Sequence, residues 1–113
     1  PGGDSPCSAM VQMFLNIAEF GMDPQQSVEQ PRFIPWNFPN SFWPHTYLPG
    51  RLHVEGRMSR DTTADLSRRG HDLRVLDDWS TTMGSLSGIV VDPESGALKA
   101  GADPRRDTYA VGR

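Results

Sequence analysis

The sequence begins Pro1-Gly2-Gly3-Asp4, and these residues are followed by a stretch with helical spacing. Glycines in front of a helix let backbone N–H groups approach a ligand, and the helix N-terminus adds positive potential. Such an arrangement can hold a phosphate, a carboxylate or a transient oxyanion. A glycine turn of this kind needs a strand before it, and none precedes Pro1 in the sequence. Other residues offer weaker chemistry. Pro1 as a free secondary amine could act as a general base, but that use requires a β-strand running from it, and Gly2-Gly3 follow instead. Cys7 lies near a helix N-terminus, where the dipole favours a thiolate; inside the first turn next to Pro6 it reads as a small buried filler. His45, His53 and His71 are the only histidines. Their spacing fits no helical zinc site and no cysteine pair supports one, so no metal is expected. His53 reads as the exposed face of a strand. Asp103, Arg105, Arg106 and Asp107 suggest a turn stapled by ion pairs, with an arginine able to grip a carboxylate bidentately.

The elements that position these groups follow from pattern. Asp4 or Ser5 can cap a helix that runs to Phe20, with Pro6 in its first turn and Gly21 as its stop. Met10, Phe14 and Ile17, beside Val11, Leu15 and Ala18, give it a wide apolar face that should be well buried. Asp23 and Pro24 start a short helix that Pro31 ends. Residues 31–50 carry Pro31, Pro35, Pro39, Pro44 and Pro49 between aromatic side chains, a long loop whose rings must bury against something. Arg51–Arg57 alternates as a half-buried strand, with Leu52 and Val54 inward and His53 and Glu55 outward. Ser59 caps a helix that ends at Gly70. His71–Leu76 alternates with Leu73 and Val75 inward. Leu86–Val91 and Ala97–Ala102 form a hairpin around a Pro-Glu-Ser-Gly turn, and Thr108–Gly112 could add a last strand. The fold class is α+β with a mostly antiparallel sheet.

Composition sets outer limits. The chain has 113 residues, with 36% hydrophobic, 22% charged, 10 prolines and 11 glycines. That suits one small domain with long loops and a modest core. A net charge of −3 argues against nucleic acid as a partner. No apolar run has the length of a membrane span. One cysteine excludes an internal disulfide and leaves the redox compartment open.

Taken together, "PGGDS", "LNIAEFGMDPQQSVEQPRF", "LHVEGR", "LSRRGHDL" and "GADPRRDTYAVG" resemble the C-terminal end of γ-glutamyltransferases, in the same order. The resemblance spans nearly the whole chain. It implies an N-terminal-nucleophile hydrolase with an α/β/β/α sandwich, made as a precursor that cuts itself into a large and a small subunit. A threonine at the start of the small subunit attacks a γ-glutamyl carbonyl, with its own α-amine as base. The acyl group then passes to water or to an amino acid or peptide. In that family the Pro-Gly-Gly glycines donate backbone N–H groups to the oxyanion, which here assigns Gly2 and Gly3 as oxyanion-hole residues and Gly3 as substrate-binding. The resemblance implies no cofactor and a periplasmic, secreted or cell-surface location.

No Thr-Thr-His stretch that could open a mature small subunit is present; Thr62-Thr63 and Thr81-Thr82 are followed by Ala64 and Met83. The expectation is therefore a single-domain fragment, residues 1–113, inactive alone. Its partners would be the large subunit, the N-terminal part of the small subunit and a small γ-glutamyl substrate. Residues 34–50 look longer than the family's usual connection. That leaves a cephalosporin or polyglutamate acylase as an alternative. A reading of another class is a non-catalytic module docking a partner through the loop 31–50.

Overall fold

The computed structural model describes residues 3–112. Helix α1 spans Ser5–Ala18 and α2 spans Pro24–Glu29; strand β1 is Phe33–Pro35 and β2 is Arg51–Glu55. Helix α3 (Arg60–Arg68), strand β3 (Asp72–Leu76), a 3₁₀ turn (Thr81–Met83) and the hairpin β4 (Ser87–Val91) and β5 (Leu98–Ala102) complete the order. β1 pairs antiparallel with β2, β2 pairs parallel with β3 across the α3 crossover, and β4 pairs antiparallel with β5. Helices with mainly antiparallel pairing make this an α+β architecture, as expected.

The capping chemistry explains most boundaries. Asp23 accepts the Gln26 N–H while the Gln26 side chain accepts from Asp23, a closed capping box, and Pro24 occupies the first turn. Ser59 accepts the Thr62 N–H to start α3. In the hairpin, the Asp92 carboxylate accepts the N–H groups of Glu94 and Ser95, and Gly96 takes φ +72°.

Helix α1 departs from expectation. It ends at Ala18 rather than Phe20, and its apolar face is open: Met10, Val11, Phe14 and Leu15 are all exposed, and only Ser5 and Ala9 are buried. The small core of Ala9, Val28 and Leu86, with Met13 packed on it, touches one edge of that face. Three further readings are corrected. Val75 is exposed rather than inward: among the described residues nothing buries that side of β3. Thr108–Gly112 forms no strand; there the Thr108 hydroxyl donates to the Asp103 carbonyl instead. Strand β1 arises inside the proline-rich segment, where Phe33–Pro35 lies against β2 at the edge of the sheet.

α2 and β5 meet backbone to backbone. A β-carbon on Gly101 would collide with the main chain of Pro24 and Gln25. The Gln25 amide bonds both ways to Ala102, accepting its N–H at 2.9 Å and donating to its carbonyl at 3.1 Å. Gly101→Ala should therefore destabilise the region by about 1–3 kcal/mol, since main chain cannot give way. Gly88→Ala meets only the tip of the flexible Met13 side chain and should cost far less. Denaturation midpoints of the two variants check this ordering.

Candidate functional site

A cleft of about 470 Å³ opens between the first turn of α1, strand β1 and the loop that joins β1 to β2. Gly3, Asp4, Cys7 and Ser8 form one wall, Ile34–Trp36 the floor, and Phe38–Ser41 the other wall, with Thr82 at the rim. Gly3 takes φ +61°, a conformation that side chains disfavour. The loop comes down on it: a β-carbon at Gly3 would lie 3.3 Å from the Phe42 ring. Gly3 thus borders the cleft; Gly2 and Pro1 lie outside the described residues.

Asp4 does not cap α1 through its side chain. Its carboxylate instead accepts the Ser41 N–H and the Ser41 hydroxyl, each at 2.7 Å. The Ser41 N–H, then the hydroxyl, hold the Asp4 carboxyl below its usual range. Cys7 is exposed rather than a buried filler, because its side of the helix turns away from the core. Among the described residues no group of three or more His, Cys, Asp or Glu is placed to hold a metal ion.

His53 is half-buried rather than exposed, and its ring tilts against Trp36 with centroids 5.1 Å apart. Burial, then the charges of Arg51 and Arg74, push its pKa down, which favours the neutral ring. The other loop rings stay open: Trp43 is 87% exposed and Phe38 80%.

Behind the cleft the charged turn is buried and structural. Arg105 grips Glu55 bidentately, Nε to Oε1 at 2.6 Å and Nη2 to Oε2 at 2.5 Å. It also donates to Asp103 and to the carbonyls of Val28 and Gln30. Arg32 pairs with Asp103 at 2.6 Å. Glu55, expected on the outer face of its strand, is therefore fully buried. The Arg57 guanidinium lies 3.4 Å over the Trp79 ring and donates to Glu55 at 3.1 Å. This network ties the segment after β5 to α2 and to β2, the strand paired with β1 at the cleft floor.

The family model described as gamma-glutamyltranspeptidase matches residues 1–113. The chain belongs to the gamma-glutamyltranspeptidase family. The glutathione hydrolase-like YwrD proenzyme of Bacillus subtilis (strain 168) is 36% identical over 98% of this chain. The oxamate amidohydrolase proenzyme of Klebsiella pneumoniae is 32% identical over 98%. The solved structure of LmbA2991HD superposes over 100% of this chain with a TM-score of 0.90 at 39% identity. The chain spans 20% of the length of each of these three. Within this family frame Gly3 sits beside the cleft, whereas Thr62 and Thr63 lie on α3 and Thr82 on the rim. Two cleft features escaped the sequence reading, the Asp4–Ser41 pair and the Phe42 cover. Both join residues almost forty positions apart, and no local pattern announces such a pairing.

Proposed function

We propose that this chain is the C-terminal segment of the nucleophile-bearing half of a γ-glutamyltransferase-like enzyme. The enzyme cleaves γ-glutamyl amide bonds and transfers the acyl group to water or to an amine. Gly2 and Gly3 donate backbone N–H groups to the oxyanion of the tetrahedral intermediate. The attacking threonine, its α-amine base and the groups that hold the glutamyl end come from the rest of the polypeptide. The observation that carries the reading is the family match over residues 1–113, together with Gly3 at the border of a cleft.

The chemistry follows from that placement. Attack on the amide carbonyl moves its electron pair onto oxygen, and fixed N–H donors lower the barrier to that charge because they need no reorganisation. Collapse expels the amine and leaves an acyl-enzyme ester, which water or a second amine resolves. The relatives named glutathione hydrolase-like and oxamate amidohydrolase both carry hydrolase names, which supports amide cleavage as the shared class. The open face of α1 supports a larger protein around this segment: Phe14 is 67% exposed, and such apolar patches mark contacts.

A second reading rests on the exposed aromatic loop, with Trp43 as the tip of a docking surface for a partner. One experiment separates the two. The full-length polypeptide, purified, should split itself into two subunits and release p-nitroaniline from L-γ-glutamyl-p-nitroanilide. An uncleaved polypeptide that releases none overturns the enzyme reading.

A further inference from the structure

The carboxylate that follows Gly3 is committed to the loop opposite rather than to its own helix. Both Asp4 oxygens are taken by Ser41, one by its N–H and one by its hydroxyl. The loop it holds is internally tight. Phe42 N–H donates to the Asn40 side chain at 2.7 Å, His45 N–H to the Phe42 carbonyl at 2.6 Å, and Asn40 N–H to the Thr46 carbonyl at 2.9 Å. Its base is fixed to the sheet by Trp36 N–H donating to the Arg51 carbonyl at 3.0 Å. A loop this cross-linked moves as one piece, so a tether at its tip sets the position of the whole. Among the described residues, Asp4–Ser41 supplies the only side-chain hydrogen bonds between residues 37–47 and the turn that opens α1. The same closure brings the Phe42 ring against Gly3.

We infer that Asp4 is a positioning residue: through Ser41 it clamps the aromatic loop onto Gly3 and so fixes the orientation of the Gly3 peptide at the reacting carbonyl. The inference rests on the proposed role of Gly3 and adds to it the device that holds that peptide still. A clamp of this kind acts on the chemical step. An oxyanion donor that drifts by a fraction of an ångström loses transition-state stabilisation while the substrate still binds.

The test uses the full-length, self-cleaved polypeptide with L-γ-glutamyl-p-nitroanilide, and hydrogen exchange of residues 36–48 as a readout independent of activity. Asp4→Ala should lower kcat at least tenfold, leave KM within twofold, and speed exchange across the loop. Ser41→Gly, which deletes the hydroxyl and loosens the turn, should do the same. Ser41→Thr keeps both donors and should stay near wild type. The double variant should be no slower than the worse single one, since both remove one clamp. Unchanged kcat or unchanged loop exchange in Asp4→Ala overturns the inference, as does a rise in KM alone. If Asp4→Ala does not fold, the Ser41→Gly and Ser41→Thr pair decides by the same criteria. A wild-type enzyme that releases no p-nitroaniline counts against the proposed activity instead, and loop exchange alone then judges the clamp.

Discussion

Arg105→Ala is expected to unfold this region rather than loosen it. The guanidinium has five N–H donors, and all are used: two on Glu55, one on Asp103, and one each on the Val28 and Gln30 carbonyls. Alanine would leave the fully buried Glu55 carboxylate without its bidentate partner and take one of two arginine partners from the equally buried Asp103. Breaking a buried pair by removing one partner costs about 3–5 kcal/mol, a large part of a domain's roughly 5–15 kcal/mol. Arg105→Lys offers one point charge where a planar fork is needed, so it should recover only part of the loss. Pairing Arg105→Met with Glu55→Leu should recover more, because packed apolar groups carry no desolvation cost. Urea midpoints of the parent polypeptide measure all three, and a shift no larger than that of an exposed ion pair would refute the account.

Acid titration probes the same network. Burial opposes the Asp103 charge, but the Arg105 N–H, the Arg32 charge, the Leu86 N–H and the Arg105 charge outweigh it and hold the carboxyl below 3.8. For a depressed carboxyl, the stabilisation is complete above the ordinary value and is lost as pH falls through the folded one. Stability should therefore fall below about pH 4, and the fall should be shallower in Asp103→Asn.

If Gly3 donates to the oxyanion as proposed, Gly3→Ala should lower kcat by about a hundredfold or more, the usual cost of losing one such donor. Alanine keeps the N–H but not its position. The backbone sits at φ +61°, and the new methyl would press the Phe42 ring at 3.3 Å. Relief requires the peptide to rotate, which turns the donor away from the oxyanion. Steady-state kinetics of the full-length enzyme, with thermal unfolding alongside, distinguish this from a folding defect. An active Gly3→Ala enzyme would remove Gly3 from the oxyanion hole.

Local chemistry was readable from the chain, and distant pairing was not. Asp23, Pro24, Ser59 and Gly96 announce their caps and turns within a few residues, so α2, α3 and the hairpin were read close to their observed bounds. Glu55 looked outward because alternation places it opposite Leu52 and Val54; its bidentate partner, Arg105, lies fifty positions away. Of the ion pairs expected within the Asp103–Asp107 turn, Asp103–Arg105 forms, while the bidentate partner of Arg105, Glu55, lies beyond any local window. α1 has the pattern of a buried helix, but the sequence cannot say which chain segment buries it. In the site, the glycine turn was visible because glycine and proline mark backbone shape directly. The loop lying over it was not, since Ser41 and Phe42 carry no signal of what they touch.

The Glu55–Arg105 grip also has a consequence for synthesis on the ribosome. Glu55 emerges fifty residues before Arg105. Until Arg105 appears, Glu55 has only the Arg32 N–H and the Arg57 guanidinium to bond, both on Oε2, and its Oε1 is left to water. Closure across so long a loop is entropically slow. Nascent chains halted before residue 105 should therefore be open to protease at β2, and released chains carrying Arg105 should be protected there.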